Sequence, residues 1–385
     1  MKICIITSSF PMNNDDAFSA AGKGCRDFAL ELEKAGHEVS VLAPLFSGEE
    51  GVFGNLVIRR FSWNGSRKRL SMLKFWNPFD LWEMVKYLYY GRKHSLAFFE
   101  ENKVDRILSM WVVPGGLFAR VATRRYGIPY DVWALGADIW VYGKIHFLKG
   151  IVRKVLMSAA LVYADGKGLC DDVKMLSNRD CAFLPHLSKV AVEEGEPVDL
   201  DKEKTHFLFV GRWERPKGID VLIEAVNLLQ VKEKAFHLHV IGGGPFEALI
   251  KEKLRAYGLE EKVTLLGWVD QPLLISYLRS CRILVIPSRV ESIPCVYSEA
   301  MCTGIPVVVT DVGDMGMLTK EHGVGRVARS EDPRSLASEM RTIMKEDLDG
   351  YRLNTVKVAA LWSLPVTVSQ YIADVGKLKK RNGHI

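Results

Sequence analysis

The sequence of 385 residues lacks several features that would point to a membrane, secreted or fibrous protein. It has no apolar run of the roughly 18 residues that a membrane-spanning helix needs. Its seven cysteines form no C-x-x-C pair, which favours reduced thiols over a disulfide framework and indicates the cytoplasm. The first residues have no small-residue cleavage site behind them, so they predict a β-strand rather than a signal peptide. With 48% hydrophobic and 25% charged residues, the composition is that of a folded globular protein.

Motifs for cofactors and metals are also missing. The dinucleotide fingerprint G-x-G-x-x-G fails at both glycine-rich stretches, where Asp27 and Glu247 stand in the third glycine position. Two Asp-x-Asp sequences begin at Asp199 and Asp347, but neither follows a predicted strand. The nine histidines show no spacing typical of a metal site. We therefore expect neither a metal ion nor a bound cofactor.

Apolar, β-branched runs alternate with helix-length amphipathic segments along the whole chain. Many of the runs are continuous rather than alternating, which is typical of strands covered on both faces. Strand, helix and strand in repetition predict a parallel sheet with right-handed crossovers, and the pattern occurs twice. The predicted strands are 3–7, 38–43, 56–61, 105–110, 130–134, 160–164, 206–210, 237–241, 262–266, 283–287 and 306–310, and the clearest helices are 26–35, 218–230 and 245–257.

An acidic stretch at 189–204, with six acids and little apolar content, separates the two sets of strands. We interpret it as a linker between two doubly wound, Rossmann-like α/β domains, 1–188 and 205–365. A last helix at about 366–385 is expected to pack back on the first domain. Because ligands of such sheets bind beyond the carboxyl ends of the strands, the expected site is a cleft between the domains.

Two strand-end loops of the second domain carry cations or glycines. In the first, Arg212 and Lys217 follow a buried strand and precede a helix, a pattern that suits a diphosphate, although a solvated basic loop would look the same. In the second, the glycines of Ile241–Pro245 follow the next strand. They indicate that the backbone approaches something closely, either a ligand or the opposite domain, unless they only form a tight turn.

The most specific motif begins at Glu291 and ends eight residues later at Glu299, after the strand 283–287. Pro294 is expected in the first turn of a helix, with Glu291 in the loop before it and Glu299 inside it. Backbone N–H groups near 293–296 would then face an anion between the two carboxylates. The motif predicts a clamp for a sugar and a ribose, with two ordinary surface glutamates as the alternative.

These three motifs in this order resemble the retaining glycosyltransferases of family four, which have the GT-B fold of two facing Rossmann-like domains. The matching segments are G-R-x-x-x-x-K-G at 211–218, the glycine loop at 242–244 and Glu-x7-Glu at 291–299. The Phe-Pro pair after the first strand and the segment 35–44 are similar to the family's first domain. The resemblance covers essentially the whole chain and is more specific in the second domain than in the first.

The resemblance implies a role for each matching residue. Arg212 and Lys217 would bind the donor diphosphate and neutralise the departing nucleotide. Glu291 would contact the transferred sugar, and Glu299 would hold the ribose hydroxyls. Asp138 matches the aspartate of the family's H-G-x-D motif in the first domain. The remaining donor-side positions are Gly211, Gly243, Gly244, Ile293, Cys295, Val296 and, beside the nucleobase, Gly267 and Val269.

Two positions depart from the family pattern. The histidine of H-G-x-D is Leu135 here, so its part in orienting the transferred sugar is missing or supplied differently. The family's early Gly-Gly loop is replaced by Ser-Ala-Ala-Gly-Lys-Gly at 19–24, which leaves the acceptor-side contacts open. Neither departure touches the donor motifs.

Positive charge is concentrated at 59–93, where nine cations stand against two acids, an excess larger than the net charge of +6 of the whole chain. The combination of cations with aromatics favours contact with an anionic membrane, with an ordinary helical surface as the alternative, and no RNA-binding signature accompanies it. We therefore expect a lipid-linked or glycan acceptor at the inner face of the cytoplasmic membrane and no nucleic-acid partner. The cations expected to make the contact are Arg67, Lys68, Arg69 and Lys74, and the interleaved aromatics are Phe61, Trp63, Phe75, Trp76, Phe79, Trp82, Tyr87, Tyr89 and Tyr90.

Together these observations predict a retaining, metal-independent glycosyltransferase. It would move a hexose-type sugar from a nucleoside-diphosphate sugar to a hydroxyl group in polysaccharide or glycolipid assembly. Charge that develops on the leaving diphosphate would meet preorganised cations and a helix N-terminus. Two alternatives remain open: a GT-B-fold epimerase or phosphorylase, and a non-catalytic donor-binding subunit of a glycan assembly complex.

Overall fold

The computed structural model describes residues 1–13, 22–46, 50–63, 70, 73, 77–187 and 195–382. The chain divides into two compact units. The first combines Met1–Ser188 with Leu364–Ile385, and the second is Lys189–Ser363. Among the described residues, no helix is both long and apolar enough to cross a bilayer.

Each unit contains a sheet whose described strands run parallel. The first sheet contains β1 (Lys2–Ile6), β2 (Glu38–Pro44), β3 (Val57–Phe61), β4 (Arg106–Met110), β5 (Tyr130–Ala134), β6 (Val162–Ala164) and β7 (Ala182–Phe183). The second contains β8 (Thr205–Val210), β9 (Phe236–Ile241), β10 (Val263–Gly267), β11 (Ile283–Ile286), β12 (Val307–Thr310) and β13 (Gly325–Ala328). Their orders are β3-β2-β1-β4-β5-β6-β7 and β10-β9-β8-β11-β12-β13. The first strand of each unit lies inside its sheet and the chain winds outward from it in both directions, which is the doubly wound arrangement.

Helices connect these strands. In the first unit they are α1 (Lys23–Lys34), α2 (Pro78–Glu101), α3 (Gly115–Tyr126), α4 (Ala137–Trp140), α5 (His146–Ser158) and α6 (Lys167–Ser177). In the second unit they are α7 (Ile219–Lys232), α8 (Glu247–Tyr257), α9 (Gln271–Ser280), α10 (Cys295–Thr303), α11 (Met315–His322), α12 (Pro333–Ile343) and α13 (Asp349–Leu361), and α14 (Leu364–Asn382) returns to the first unit.

Several helices start where the sequence supplies a cap. Asn77 accepts from Phe79 N–H at the start of α2, and Asp332 accepts from two N–H groups at the start of α12. Each of these caps is followed directly by a proline in the first helical turn. The cap satisfies N–H groups that have no acceptor inside the helix, and proline has no N–H to satisfy.

The central strands are buried because helices cover both faces of such sheets. All residues of β4, β5, β11 and β12 are buried. Every predicted strand is present, with ends shifted by no more than two residues. β7 and β13 are absent from the prediction because these short strands at the sheet edges have no continuous apolar run.

The last helix, α14, packs on the first unit through a buried charged group. Tyr371 is fully buried and donates from its hydroxyl to Asp131 at 3.0 Å. Asp131 also forms a doubly hydrogen-bonded ion pair with Arg106 on β4. Burial raises the pKa of Asp131, although Arg106 and Tyr371 act against that shift. α14 is therefore attached at a point where a missing partner would leave buried charge incompletely hydrogen-bonded.

The described part of the predicted linker is attached to the second unit. Val198 N–H donates to Ser280 Oγ at 2.7 Å, and the Arg279 side chain donates to Gly195 O. Both partners lie on α9, so 195–204 runs along the second unit instead of forming a separate connection. The acidic composition of this stretch indicates contact with solvent but carries no signal of these backbone hydrogen bonds.

Three histidines form a cluster on the neighbouring strands β8 and β9. His206 Nδ1 and His239 Nε2 are 3.0 Å apart, and His237 Nε2 lies 2.8 Å from Thr264 Oγ1 on β10. Burial, together with the neighbouring imidazoles, lowers the pKa of His239 to about 4. His239 is therefore neutral near pH 7 and contributes to packing of the second unit.

Candidate functional site

The carboxyl ends of β8 and β11 are adjacent in the second sheet. Lys217 lies at the end of a short 3-10 turn after β8, and Glu291 lies in the loop after β11. Lys217 Nζ donates to Glu291 Oε2, and the two side chains are 23% and 20% exposed. Two residues that are 74 positions apart in the sequence thus form one accessible ion pair at the edge where ligands of such sheets bind.

The two loops that carry this ion pair are locked to each other through their backbones. Gly218, which follows the lysine, has a φ of +69°, and a Cβ atom there would lie 1.9 Å from Pro287 O. Arg289 N–H donates to Pro216 O at 2.8 Å. The loops approach so closely that only glycine fits at the crossing point. The backbones that carry the ion pair are therefore held in a fixed position.

Arg289 also braces these loops with its side chain. Its guanidinium donates to both carboxylate oxygens of Asp220, at 2.7 and 2.8 Å. It also donates to Arg215 O at 2.7 Å and to Glu331 at 2.8 Å. The hydrogen bonds to Asp220 raise the pKa of Arg289. Burial would raise the pKa of Asp220, but Arg289 and the helix backbone outweigh it and lower that pKa. Nothing in the sequence marks Arg289 as functional, because a lone arginine belongs to no motif.

The loop that carries Glu291 is held from its other side by β12. Thr310 Oγ1 donates to Ser288 O at 2.5 Å. In the loop after β12, Gly313 approaches so closely that a Cβ atom on it would lie 2.0 Å from Glu291 O. The backbone of Glu291 is thus enclosed on both sides, and its side chain is 20% exposed.

Arg212 lies in the same loop as Lys217 but pairs with a different carboxylate. Its Nη2 is 3.0 Å from Glu214 Oε1, and its side chain is about half exposed. Trp213 beside it is buried and donates its backbone N–H to Gly243 O at 2.9 Å. The two cations predicted to bind one diphosphate therefore belong to one loop and to two separate ion pairs.

The glycine loop after β9 packs against the loop after β8. A Cβ atom on Gly242 would lie 2.0 Å from Gly211 O, and one on Gly244 would lie 2.8 Å from Trp213 O. The close approach that these glycines predict is therefore made to the neighbouring loop of the same unit, which neither sequence interpretation named. The donor contacts expected of Gly211, Gly243 and Gly244 stay predictions.

An exposed tryptophan follows β10 beside the glycine loop. Trp268 is 55% exposed, and a Cβ atom on Gly243 would lie 2.9 Å from its Nε1. Gly267 precedes it and Val269, which is half-buried, follows it. The turn expected beside a nucleobase thus presents an indole ring to solvent at the carboxyl edge of the second sheet.

Helix α10 begins at Cys295, so Pro294 occupies the position just before the helix and not its first turn. Ile293 and Val296 are buried, whereas Cys295 and Glu299 are half-buried. The first N–H groups of a helix have no acceptor inside it, so the N-terminus of a helix carries partial positive charge. In α10 this end lies next to the loop after β11. Glu299 lies in the second turn, deeper along the helix, as the motif predicts.

Asp138, after β5 of the first unit, is fully buried. Its carboxylate oxygens accept from Val112 N–H at 2.7 Å and from Leu135 N–H at 3.3 Å. Burial raises the pKa of Asp138 to about 6, and these backbone hydrogen bonds act against that shift. The carboxylate joins the loops after β4 and β5. A donor contact of Asp138 would have to share oxygens that already accept backbone hydrogen bonds.

Within the described ranges, no group of three or more His, Cys, Asp or Glu could hold a metal ion. The Asp-x-Asp sequences instead supply short-range ion pairs. Asp201 Oδ2 is 3.0 Å from Lys204 Nζ, and Asp349 Oδ1 is 3.6 Å from Arg352 Nη1. These aspartates are ordinary exposed carboxylates paired with a neighbouring cation.

Comparison with known families identifies the second unit. Residues 192–360 match the family model described as "Glycosyl transferases group 1". These residues belong to that family. The match includes both members of the Lys217–Glu291 pair, and it confirms the resemblance that the motifs indicate.

Two proteins named as glycosyltransferases are similar to part of this chain. The "Putative teichuronic acid biosynthesis glycosyltransferase TuaC" of Bacillus subtilis is 31% identical over 230 residues, 57% of this chain and 56% of that protein. The amylovoran biosynthesis glycosyltransferase AmsK of Erwinia amylovora is 30% identical over 181 residues, 46% of this chain and 44% of that protein. The chain thus spans about half the length of these relatives.

Solved glycosyltransferase structures share the fold over nearly the whole chain. Sucrose-phosphate synthase from Thermosynechococcus elongatus has a TM-score of 0.75 at 16% identity, covering 100% of both chains. HepE from Anabaena, in complex with UDP, has a TM-score of 0.71 at 17% identity, covering 98% of this chain and 100% of that chain. At such identities the likeness concerns the fold alone, and it confirms the predicted GT-B class.

The basic segment 59–93, which lies outside the family match, is not one surface. Arg60 is turned inward, donating to Pro11 O at 2.6 Å and pairing with Glu50 at 2.9 Å. The cations named for the membrane contact lie outside the described residues, namely Arg67, Lys68, Arg69 and Lys74. Among the aromatics, Phe61, Trp63 and Tyr87 are core residues, and Phe79, Trp82 and Tyr89 are exposed. The number of aromatic residues in the segment therefore overestimates how many of them lie on the surface.

Proposed function

We propose that this protein is a retaining, metal-independent glycosyltransferase that moves a hexose-type sugar from a nucleoside-diphosphate sugar to a hydroxyl group. The acceptor is a lipid-linked saccharide or a glycan, and the product enters polysaccharide or glycolipid assembly. The observation that carries this proposal is the Lys217–Glu291 ion pair at the adjoining ends of β8 and β11, inside the family match.

The ion pair suits a site that exchanges one anion for another. Without a ligand, Glu291 neutralises Lys217. An arriving diphosphate would compete for the ammonium group, with Arg212 as a second cation in the same loop, and would free Glu291 to accept hydrogen bonds from sugar hydroxyls. As the bond to the sugar breaks, charge grows on the diphosphate, and fixed cations stabilise that charge without reorganisation.

Helix α10 supplies the remaining donor contacts in this proposal. Its N-terminus, with the backbone of Ile293, Cys295 and Val296, would face the phosphates, where the helix dipole favours negative charge. Glu299 in the second turn would accept from the ribose hydroxyls. On the far side of the glycine loop, Gly267 and Val269 would border the nucleobase.

If Glu291 binds the sugar and does not attack it, the reaction has no protein nucleophile, and retention of configuration then requires front-face attack by the acceptor. The acceptor hydroxyl oxygen then bonds to the anomeric carbon from the side on which the bond to the diphosphate breaks. The hydroxyl proton passes to an oxygen of the departing phosphate, so no protein base is required. This assignment rests on the pairing of Glu291 with Lys217.

The relatives support a polymeric-sugar context. TuaC is named for teichuronic acid, AmsK is named for amylovoran, and the solved HepE structure contains UDP. These names support a sugar-nucleotide donor and an acceptor that grows into a polysaccharide. In keeping with the basic first unit, we place the reaction at the inner face of the cytoplasmic membrane.

Thermal unfolding of the full chain in EDTA with UDP, GDP, ADP or CMP tests this proposal. We expect one nucleoside diphosphate to raise the melting temperature, because a ligand of the folded state stabilises it. Lys217→Ala should remove that shift and reduce turnover of the matching sugar nucleotide by about 100-fold. The control Lys251→Ala, in an exposed pair on α8, should change neither. Turnover of Lys217→Ala within twofold of wild type would contradict the proposal. Loss of activity in EDTA that is restored by Mg²⁺ or Mn²⁺ would contradict it as well.

Analysis of the products separates the alternatives. A glycosidic product with retained configuration supports the proposal. An isomerised sugar nucleotide or a free sugar phosphate would instead identify an epimerase or a phosphorylase. A melting shift without turnover, across lipid-linked and glycan acceptors, would identify a donor-binding subunit.

A further inference from the structure

Three helices of the first unit form one continuous layer on one side of its sheet. The connections β3 to β4, β4 to β5 and β5 to β6 all run across the sheet in the same direction. Right-handed crossovers therefore place α2, α3 and α5 on the same side, whereas the reverse connection β1 to β2 places α1 on the other side. The connection β6 to β7 also runs in the first direction, so α6, which carries Asp171 and Asp172, borders this layer beside α5. Side chains join the layer: Tyr126 on α3 donates to Leu96 O on α2, and Arg120 Nε donates to Ser158 Oγ on α5, both at 3.2 Å. We call the outward faces of α2, α3 and α5 the helix-layer surface.

Large apolar side chains stand exposed on the helix-layer surface. Phe79 on α2 is 83% exposed, Trp82 is 62% exposed, and Phe147 in the first turn of α5 is 65% exposed. Further exposed apolar residues on α2 are Leu81, Val85, Leu88 and Tyr89. Isolated exposed apolar residues are normal, but a row of them along one helix marks an interaction site.

Cations accompany these apolar residues. Each of the three helices carries three Lys or Arg residues, and α3 and α5 contain no acid. On α2, Asp80 is buried and Glu83 pairs with Lys86, while the exposed Glu100 and Glu101 lie at the far end of the helix. The exposed cations are Arg92, Lys93, Arg124, Arg125, Lys149, Arg153 and Lys154. The predicted positive charge is therefore not limited to 59–93 but extends onto α3 and α5.

The direction of the helices places the apolar residues at one end of the layer. Each helix follows a strand, so it starts near the carboxyl edge of the sheet and runs back toward the amino edge. Phe79 and Trp82 lie in the first turns of α2, and Phe147 lies in the first turn of α5. The apolar part of the surface therefore borders the edge at which a parallel sheet binds its ligands.

We propose that the helix-layer surface docks on an anionic phospholipid bilayer, with Phe79, Trp82 and Phe147 at the headgroup boundary and the cations on lipid phosphates. Aromatic rings favour that boundary, and basic residues near it are attracted to anionic lipids. Aliphatic Leu81, Val85 and Leu88 stand beside the aromatics, which suits hydrocarbon better than the stacked bases of a nucleic acid. The proposal rests on the proposed function in one respect: it gives a lipid-linked acceptor a route to the carboxyl edge of the first sheet.

Flotation of the full chain with vesicles tests this docking surface. Wild type should float with vesicles of equal parts phosphatidylglycerol and phosphatidylcholine at low salt, less at high salt, and little with phosphatidylcholine alone. The apolar variant Phe79→Ser with Trp82→Ser, and the charge variant Arg124→Glu with Arg125→Glu, should each weaken binding by about fivefold or more. The matched controls lie on exposed helices of the second unit: Val231→Ser with Leu353→Ser, and Lys232→Glu with Arg255→Glu.

The controls should float as wild type does. Failure of wild type to float with anionic vesicles, equal weakening by the controls, or wild-type flotation of either surface variant would overturn the proposal. Binding to a nucleic acid that equals or exceeds binding to the vesicles would also overturn it. The melting shift with a nucleoside diphosphate is measured on every variant and must be unchanged. That shift reports on donor binding alone, so its loss in wild type would count against the proposed function and not against the docking surface.

Discussion

The carboxyl edges of the two sheets both carry an acid predicted to be functional, but they hold it in opposite ways. Glu291 in the second unit is accessible and is paired with the flexible end of Lys217. Asp138 in the first unit is fully buried, and backbone N–H groups of two loops hold its oxygens. A side-chain partner can be exchanged for a ligand, whereas backbone partners fix the shape of the loops. Similar residues at equivalent edges thus divide into a group available for binding and a group that holds structure.

Disturbing the backbone crossing at Gly218, which holds the loops of the Lys217–Glu291 pair together, should have the largest effect on stability and activity. Gly218→Ala would bring a methyl group onto Pro287 O in a backbone conformation that other residues avoid. We expect a loss of about 3 kcal/mol or more in the free energy of unfolding, together with loss of activity. Gly258→Ala is the matched control, with a φ of +61° and no atom within 4 Å of the new Cβ, and should cost only about 1 kcal/mol. Chemical denaturation measures both, and equal costs would show that the close approach is unimportant.

Acid should destabilise the second unit more than the first. The pKa of His239 is about 4 in the folded chain against 6.5 in an unfolded one, so unfolding takes up a proton between these values. Stability that depends on His239 is therefore lost as the pH falls from 6.5 to 4. In the first unit, Asp138 has a pKa of about 6 against 3.8, which gives the opposite dependence, and His186, with a pKa lowered by burial to about 4, offsets it.

Hydrogen exchange measured peptide by peptide tests this difference. After correction for the intrinsic exchange rate, exchange in β8 and β9 should accelerate by up to about tenfold per pH unit across that window. Exchange in β5 should change less. His239→Gln keeps a hydrogen-bonding side chain but cannot take up the proton, so it should flatten the dependence in the second unit. Equal acceleration in both units would contradict the assignment.

Replacing Arg289 tests whether its contacts position the loops for activity or only stabilise the fold. Arg289→Lys loses the two-fold hydrogen bond to Asp220 and should lower turnover by about tenfold while costing about 1 to 2 kcal/mol of unfolding free energy. Arg326→Lys is a matched control, because Arg326 on β13 also bonds two carboxylates, Glu339 on α12 and Glu346 in the turn after α12. It should cost similar stability and leave turnover unchanged. If both variants lose activity in proportion to stability, Arg289 has no positioning role.

The smallest expected effect belongs to the first unit. Tyr371→Phe removes one hydrogen bond to Asp131, which keeps its bonds to Arg106 and Leu161 N–H, and should cost about 1 kcal/mol. Hydrogen exchange should accelerate in β4, β5 and α14, while turnover per folded molecule stays the same. Tyr163→Phe, whose hydroxyl meets the more accessible Asp374 at 3.3 Å, should cost less. A loss of turnover in Tyr371→Phe would show that the units are coupled through α14.

Local signals in the sequence were enough to predict the central strands and the two residues of the candidate ion pair, Lys217 and Glu291. Continuous apolar runs mark β4, β5, β8 and β11, because burial on both faces imposes that composition. Lys217 and Glu291 each lie in the loop that follows such a run, so the topology of parallel strands places both at the same edge of the sheet. The contact between them follows only from the order of the strands, which places β8 beside β11.

The remaining features depend on contacts between distant residues and leave no local signal. Arg289 is one arginine among many, and only its carbonyl and carboxylate partners show what it does. The glycine loop predicts a close approach, but the neighbour it approaches, Gly211, belongs to another strand-end loop. Arg60 counts as a surface cation in the sequence and is used inside the first unit, because the carbonyl of Pro11 lies beside it.

The position of α14 affects the order in which a new chain is completed on the ribosome. Tyr371 is joined to Asp131 although 240 residues separate them, and the whole second unit is synthesised between them. At about 5 to 20 residues per second, Arg106 and Asp131 wait roughly 10 to 50 s for the tyrosine that covers them. The second unit is one continuous stretch and can close before the first unit does. The first unit is therefore completed only after the second unit has been synthesised, and a chain released before α14 is made would lack the tyrosine that covers the Arg106–Asp131 ion pair.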